Sequence, residues 1–307
     1  MKSTRGVIRT EVRRIHLATN DGLRDDALAV EEPLEIRIGM SKAGTIEHRA
    51  ISITMRTPGA DDELAAGFLF TEGILSSPDQ IKQIRHCGLK IGQKNGVIER
   101  TVALNSNTIR VELNEDIDVD LKRLERNFYT TSSCGVCGKS SIEALHTGVS
   151  KLRTNDMPPI DPAVIHLLPG ILRESQEAFE QTGGLHASAL FDHNGKLDIL
   201  REDVGRHNAL DKVVGAKFLA GKIPLSDSIL LVSGRASFEL VQKALMAGIP
   251  VLAAIGAPSS LAVELAAEFG MTLVGFVRND RFNIYAGEHR IKNRTLKIEP
   301  ASLTSHN

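Results

Sequence analysis

From Glu32 onward the chain sorts itself by hydrophobic period. Pro33-Leu-Glu-Ile-Arg-Ile38 and Ala50-Ile-Ser-Ile-Thr-Met55 alternate apolar and polar residues, the period of a strand with one covered face. Thr57-Pro58-Gly59 breaks the pairing, and Asp61, Asp62 and Glu63 put negative charge where a helix would begin. A short helix through Leu64 and Phe68 is predicted to end near Gly73. Runs at Ile81–His86, Val97–Leu104 and Thr108–Leu113 read as three more strands. Residues 29–130 thus predict a small, strand-rich α+β domain. Ahead of it, residues 1–28 mix charged and small polar groups without a sustained period and predict a basic, loosely held flexible arm. Asp118–Asn127 is charged and roughly helical, a connection leading into residues 131–140.

Residues 141–292 change character. Asp161-Pro162 can start one helix and Pro169 another, since proline suits the first helical turn. Leu172, Gln176 and Phe179 mark the inner face of the second, which stops at Thr182-Gly183-Gly184. A strand over Leu185–Phe191, a turn at His193-Asn194-Gly195 and a strand over Leu197–Arg201 follow. Next come a helix with Leu210, Val214 and Phe218 on one face, a strand over Ile229–Val232 and a helix over Phe238–Met246. A strand over Pro250–Ile255, a helix over Ser260–Phe269 and a strand over Thr272–Val277 complete the series. Unbroken apolar strands between amphipathic helices predict a sheet covered on both faces, an αβα layer domain. No internal repeat and no low-complexity tract is read, and residues 293–307 form a tail.

Composition bounds the function. The 307 residues are 42% hydrophobic and 24% charged, with a net charge of -1, so no whole-molecule field draws in nucleic acid or anionic membrane. Aromatics are 4% and Trp is absent, which argues against a base-stacking platform of the single-strand-binding kind. The most apolar stretch, Ala247–Pro258, is too short to span a bilayer. The first twenty residues lack an apolar block, so no secretory leader is expected, and three cysteines make no disulfide framework. A cytoplasmic setting is expected.

Two of those cysteines sit together in Thr131-Ser-Ser-Cys134-Gly-Val-Cys137-Gly-Lys139. The glycines allow a tight turn, and Lys139 can favour the thiolate, the form that attacks sulfur or binds metal. Half a zinc site, a dithiol couple and a sulfur-carrying nucleophile all fit the spacing. A closed zinc knuckle wants four ligands, and Cys87, the third cysteine, stands alone and reads as a buried structural thiol.

Four polar clusters interrupt the second half at element ends. They are Thr182-Gly-Gly-Leu-His186-Ala-Ser188, Arg201–Lys212 with Arg206, His207 and Asn208, Ser233-Gly234-Arg235-Ala-Ser237, and Phe276-Val277-Arg278-Asn279-Asp280-Arg281 leading to Tyr285. Each has a plain reading as a satisfied core histidine, a helix cap or a salt-bridged loop. The paired glycines of the first suggest that something packs close to the backbone; the third suits an anion, because ligands of open α/β sheets bind at carboxyl ends of strands, and the two arginines of the fourth match phosphate oxygens.

In order, Glu32-Pro33-Leu34, the Met55–Gly73 segment, Ser133-Cys-Gly-Val-Cys-Gly, Thr182-Gly-Gly-Leu-His-Ala, Glu202-Asp-Val-Gly-Arg-His-Asn-Ala, Ser233-Gly-Arg and Gly275-Phe-Val-Arg resemble the formate dehydrogenase accessory sulfurtransferase (FdhD) family from about Glu32 to Tyr285. The resemblance implies a maturation factor for molybdenum- or tungsten-dependent formate dehydrogenase. It implies that persulfide sulfur is taken from a cysteine desulfurase on Cys134, with Cys137 as helper or alternate carrier. The sulfur would pass to the bis-guanine-dinucleotide molybdenum cofactor, Mo-bis(molybdopterin guanine dinucleotide), held as cargo. Phe276 to Arg281 match the family's cofactor-binding segment, with Arg235 and Arg206-His207-Asn208 as second choices and guanine nucleotides as analogues of the cargo. The family precedent favours a homodimer, and the larger domain is expected to be similar to cytidine deaminases. A zinc deaminase needs a His- or Cys-x-Glu and a downstream Pro-Cys-x-x-Cys. Here Arg206-His207-Asn208 takes the first place and no cysteine follows residue 137, so neither deamination nor bound zinc is expected.

Overall fold

The protein, seen in a computed structural model, is described at residues 6–15, 17, 22–42, 45–87, 89–94, 97–102, 107–115, 117, 151–152 and 157–293. The charged start is not a loose arm. Strands β1 (Val7–Arg14) and β2 (Gly22–Ala29) pair antiparallel from Val7↔Ala29 to Arg14↔Gly22, and Val30 N donates to Gly6 O to close the base. Backbone pairing satisfies the hairpin while most side chains stay wet, so no apolar period betrays it.

Strands β3 (Glu32–Lys42) and β4 (Thr45–Arg56) form the next hairpin. With β5 (Ile81–His86) and β8 (Thr108–Leu113) they make a four-stranded sheet ordered β4-β3-β8-β5. Between them β6 (Leu89–Lys94) and β7 (Val97–Val102) pair separately. Alternation along β3 sends Leu34, Ile36 and Ile38 wholly into the core, while Glu35 and Arg37 face outward and pair with each other. Helix α1 (Asp61–Thr71) closes the core with Leu64 and Leu69. Its start is fixed by Arg56, whose guanidinium donates to both carboxylate oxygens of Asp61 at 3.0 Å. Cys87, just past β5, is half-buried rather than buried.

In the second half, α2 (Pro162–Ser175) and α3 (Glu177–Thr182) precede β9 (His186–Phe191) and β10 (Leu197–Asp203). Pro169 lies inside α2 instead of starting a helix. Asp161 caps α2 by accepting from Ala163 N, and Ile165, Leu168 and Leu172 hold its whole length against the sheet, which outweighs the bond lost at the proline. Then follow α4 (Arg206–Leu219), β11 (Ile229–Val232), α5 (Phe238–Met246), β12 (Val251–Ala254), α6 (Ser260–Phe269), β13 (Thr272–Gly275) and β14 (Asn283–Ala286). The sheet runs β10-β9-β11-β12-β13-β14; β11, β12 and β13 are parallel, and the pairings β10–β9, β9–β11 and β13–β14 are antiparallel.

Strands β9 to β13 divide their side chains between two clusters. Ala187, Ala189, Ile229, Leu231, Val251 and Ala253 meet α2, while Leu190, Leu230, Val232, Leu252 and Leu273 meet α4, α5 and α6. Helices therefore cover both faces of this sheet. Strand–turn–helix is used twice running, as β11–α5 and β12–α6, with Ile229 beside Val251 and Val251 beside Thr272.

The cluster beneath α4–α6 continues into the first half. Leu34, Ile36, Leu64 and Leu69 belong to the same packed set as Val213, Leu240 and Leu252. Phe70 stacks on Phe218 with ring centroids 4.8 Å apart, and α1 crosses α4 at Gly67 and Gly215. Polar ties cross the same seam. Lys212 Nζ lies 2.7 Å from Asp203 Oδ2 and donates to Thr57 O, and Lys243 Nζ reaches both oxygens of Asp211 at 3.0 Å and Thr71 Oγ1 at 2.8 Å. The Asp211 carboxylate beside it holds the Lys243 ammonium in its charged form. Each such buried ion needs its partner, because an uncompensated one costs about 3–5 kcal/mol.

Candidate functional site

The turns that leave β11, β12 and β13 lie side by side at one end of the sheet, where β9, running the other way, begins. Ser233 N donates to Ala187 O, and Ser233 Oγ accepts from Ala187 N, both at 2.9 Å. Gly256 N donates to Gly234 O, Ala236 N to Ala257 O, Phe276 N to Gly256 O and Val277 N to Ala254 O. The turns are stitched so closely that a Cβ on Gly256 would sit 2.9 Å from Arg235 N and from Gly234 O. Only glycine fits there.

A cavity of about 640 Å³ opens on this end of the sheet. Three of the four polar clusters reach it: Gly183, Gly184 and His186 from the first, Ser233 from the third, and Val277, Arg278 and Asn279 from the fourth. The opposite wall is α2 and its end, with Pro169, Leu172, Arg173 and Gln176. An apolar wall with a few convergent polar groups at carboxyl ends of parallel strands is where open α/β sheets take ligands.

The fourth cluster is built stiffly. Arg278 donates from its guanidinium to Ile255 O at 2.8 Å and to Val277 O at 2.9 Å, and its backbone N donates to Arg281 O at 2.8 Å. His166 of α2 donates from Nδ1 to Arg278 O at 3.0 Å and packs its ring 4.9 Å from that of Phe282. Phe276 has φ 53°, a left-handed conformation that a bulky residue rarely adopts, and is 40% exposed. Strain of that kind is kept where surrounding bonds impose it, here the pairings at Phe276 N and Val277 N. Asn279, which lines the cavity, and the following Asp280 and Arg281 are exposed. No sequence signal singled out His166, since a lone histidine on a helix face is unremarkable by pattern.

The Arg206-His207-Asn208 triplet at the start of α4 divides by role. Burial pushes the His207 imidazole down to about 3, helped by the Lys243 and Arg206 cations, so it is neutral near pH 7. Its Nε2 is 3.3 Å from Ser237 Oγ at the start of α5, and the Glu239 carboxylate at 3.8 Å makes no ion pair with a neutral ring. His186 is lowered as well, first by burial and then by Arg206. Asn208 is buried and committed: Nδ2 donates to Met55 O at 2.7 Å and to Asp203 Oδ1 at 3.1 Å, and Oδ1 accepts from Thr54 Oγ1 at 3.0 Å. It joins the two halves rather than facing the cavity. Arg235 is exposed on the turn after β11.

Cys134 and Cys137 lie outside the described residues. Further along, Leu152 N donates to Phe269 O, at the carboxyl end of α6 and so at the end of the sheet away from the cavity. Among the described residues, no three His, Cys, Asp or Glu side chains are placed to hold a metal ion, and no helix is long and apolar enough to cross a membrane.

Comparison with known proteins adds the relatives. The model of the FdhD/NarQ family matches residues 29–292. The sulfur carrier protein FdhD of Streptomyces avermitilis is 50% identical over 291 residues, covering 93% of this chain and 96% of that protein. The sulfur carrier protein FdhD of Mycobacterium tuberculosis is 48% identical over 293 residues, covering 92% of this chain and 98% of that protein. The crystal structure of a protein described as a formate dehydrogenase accessory protein, from Desulfotalea psychrophila, superposes with a TM-score of 0.67 at 26% identity, covering 94% of this chain and 100% of that one.

Proposed function

The chain belongs to the FdhD/NarQ family, and from that premise we propose that it is a sulfur carrier needed for formate dehydrogenase activity. The thiolate of Cys134 attacks the outer sulfur of a cysteine desulfurase persulfide. The donor's S–S bond breaks, its thiolate leaves, and a persulfide forms on Cys134, with Cys137 as helper or alternate carrier. No net oxidation occurs. The terminal sulfur would then pass to Mo-bis(molybdopterin guanine dinucleotide), bound as cargo before it enters a formate dehydrogenase, with Cys134 leaving as thiolate and the reduced metal of the cargo giving the two electrons that take the sulfur to sulfide. The setting is cytoplasmic and the working form a homodimer.

The observation that carries the cargo half is convergence: three polar turns, far apart in sequence, border one cavity at the carboxyl ends of β11, β12 and β13. Arg278 and the exposed Arg281 offer guanidinium forks for phosphates, and the exposed ring of Phe276 offers a face for a base. The sulfur half is carried by the Cys-x-x-Cys spacing and by the relatives' name. Kinship of the αβα unit with cytidine deaminases belongs to the same reading, without their reaction. A deaminase needs an ionisable general acid/base near the position of Asn208, and here that position holds an amide spent on Met55, Asp203 and Thr54.

Intact mass after incubation with a cysteine desulfurase and cysteine tests the reading. A sulfur adduct removed by reductant, and lost in Cys134→Ser, is expected. A purified chain that never gains sulfur would sink it.

A further inference from the structure

The cavity at the carboxyl ends of β11, β12 and β13 has a cationic lining: Arg173 and Arg278 border it, and no Asp or Glu is among the described residues that do. The two guanidinium groups stand on different elements and are used differently. Arg278, on the turn after β13, spends Nη1 on Ile255 O and Val277 O, so it is anchored to the sheet and part of its fork holds the turn. Arg173, in the last turn of α2, is exposed, and among the described residues its side chain makes no hydrogen bond or ion pair. An arginine that pairs with nothing in the fold keeps its whole fork of donors for something outside it. One guanidinium can meet one phosphate, and a neighbouring phosphate calls for a second. The cavity, about 640 Å³, supplies both, one on each wall.

We propose that Arg173 is a phosphate-binding residue of this cavity, and that the ligand class is an organic diphosphate held between Arg173 on α2 and Arg278 on the facing turn. The planar fork of Arg173 donates parallel N–H bonds to the oxygens of one phosphate, and the anchored Arg278 offers its remaining nitrogens to the other. No carboxylate of the described lining competes for either charge. Because α2 and the turn are separate elements, a ligand bonded to both also ties the α2 wall to the end of the sheet. The assignment rests on the reading that this cavity takes the guanine-nucleotide part of the cargo, and adds an arginine from outside the four polar clusters.

Calorimetry with GDP, guanosine and pyrophosphate on the wild type, Arg173→Gln, Arg173→Lys and Lys222→Gln tests it. Arg173→Gln should bind GDP and pyrophosphate roughly ten- to a hundredfold more weakly than the wild type, the loss of one charge-assisted contact. Arg173→Lys, which keeps the charge without the fork, should fall between the two. Guanosine has no phosphate and should bind all of these proteins alike. Lys222→Gln removes an exposed cation beyond the end of α4 and should change none of the affinities. GDP and pyrophosphate bound equally by the wild type and Arg173→Gln, or weakened as much by Lys222→Gln, overturns the assignment alone. An equal loss of guanosine binding in Arg173→Gln overturns it too, because the side chain would then not act on phosphate. A wild type that binds neither GDP nor pyrophosphate overturns the nucleotide reading and the assignment with it.

Discussion

Gly67 of α1 and Gly215 of α4 meet where the two helices cross, so that a Cβ on Gly67 would lie 2.8 Å from Gly215 N and one on Gly215 would lie 2.7 Å from Gly67 N. Each would also run into a carbonyl of the facing helix, Asp211 O and Glu63 O respectively. The backbones touch with nothing between them, and this contact joins the two halves of the chain.

Gly67→Ala and Gly215→Ala should therefore each destabilise the protein by about 3 kcal/mol or more, at or beyond the top of the usual cost of overpacking. Gly170→Ala in α2, where a Cβ meets nothing within 4 Å, should stabilise it by about 0.5–1 kcal/mol. Urea midpoints at constant m-value report both. Equal midpoints for Gly67→Ala and the wild type would mean that the helices do not touch there.

His207 sets a pH dependence. Its folded form releases its proton only near pH 3, whereas an unfolded histidine does so near 6.5, so between those values the unfolded chain binds more protons. Stability is complete above about pH 6.5 and falls as pH drops toward 3, by roughly 1.4 kcal/mol per pH unit from this residue. His186, also lowered by burial and Arg206, acts in the same direction. His207→Gln should flatten the slope of unfolding free energy between pH 6 and pH 4. An unchanged slope would show that the imidazole is not held neutral.

Cys134→Ser should abolish activation of formate dehydrogenase in cells lacking the native gene and leave the fold intact, as a cooperative thermal transition like that of the wild type would show. Cys137→Ser should impair activation less. Full activation by Cys134→Ser, or the reverse order of severity, would contradict the assignment.

Arg281→Ala should weaken GDP binding by roughly ten- to a hundredfold, the loss of one charge-assisted contact worth about 1.5–3 kcal/mol. Sulfur loading should persist, because the sulfur is accepted at Cys134 in a separate encounter. Calorimetry paired with a loading assay reads both halves. Equal GDP affinity would shift the phosphate contacts toward Arg235 and Arg206.

What the sequence made visible follows from where the apolar residues lie. Leu210, Val214 and Phe218 share one helical face, and Ile229–Val232 is an unbroken apolar run, so α4 and β11 stand out. Strand β14 does not, because Asn283-Ile-Tyr-Ala286 is a short edge strand with its side chains at least partly exposed. At Pro169 the rule that proline opens helices competes with the burial of Ile165, Leu168 and Leu172, and burial prevails. Gln176 was recognisable as an inner-face residue, while its unpaired Nε2 emerges only once its neighbours are placed. Gly67 and Gly215 are each no more than a weak helix former by sequence. Their meaning lies in a contact between distant positions.

The shared core has a further consequence for the span that carries the thiols. Ile117 packs against that core before the span and Leu152 is bonded to Phe269 after it, so both ends are pinned to one body. Anything that opens that core therefore frees the anchors on both sides of the thiols together, so the two ends of the span are held or released as one cooperative unit.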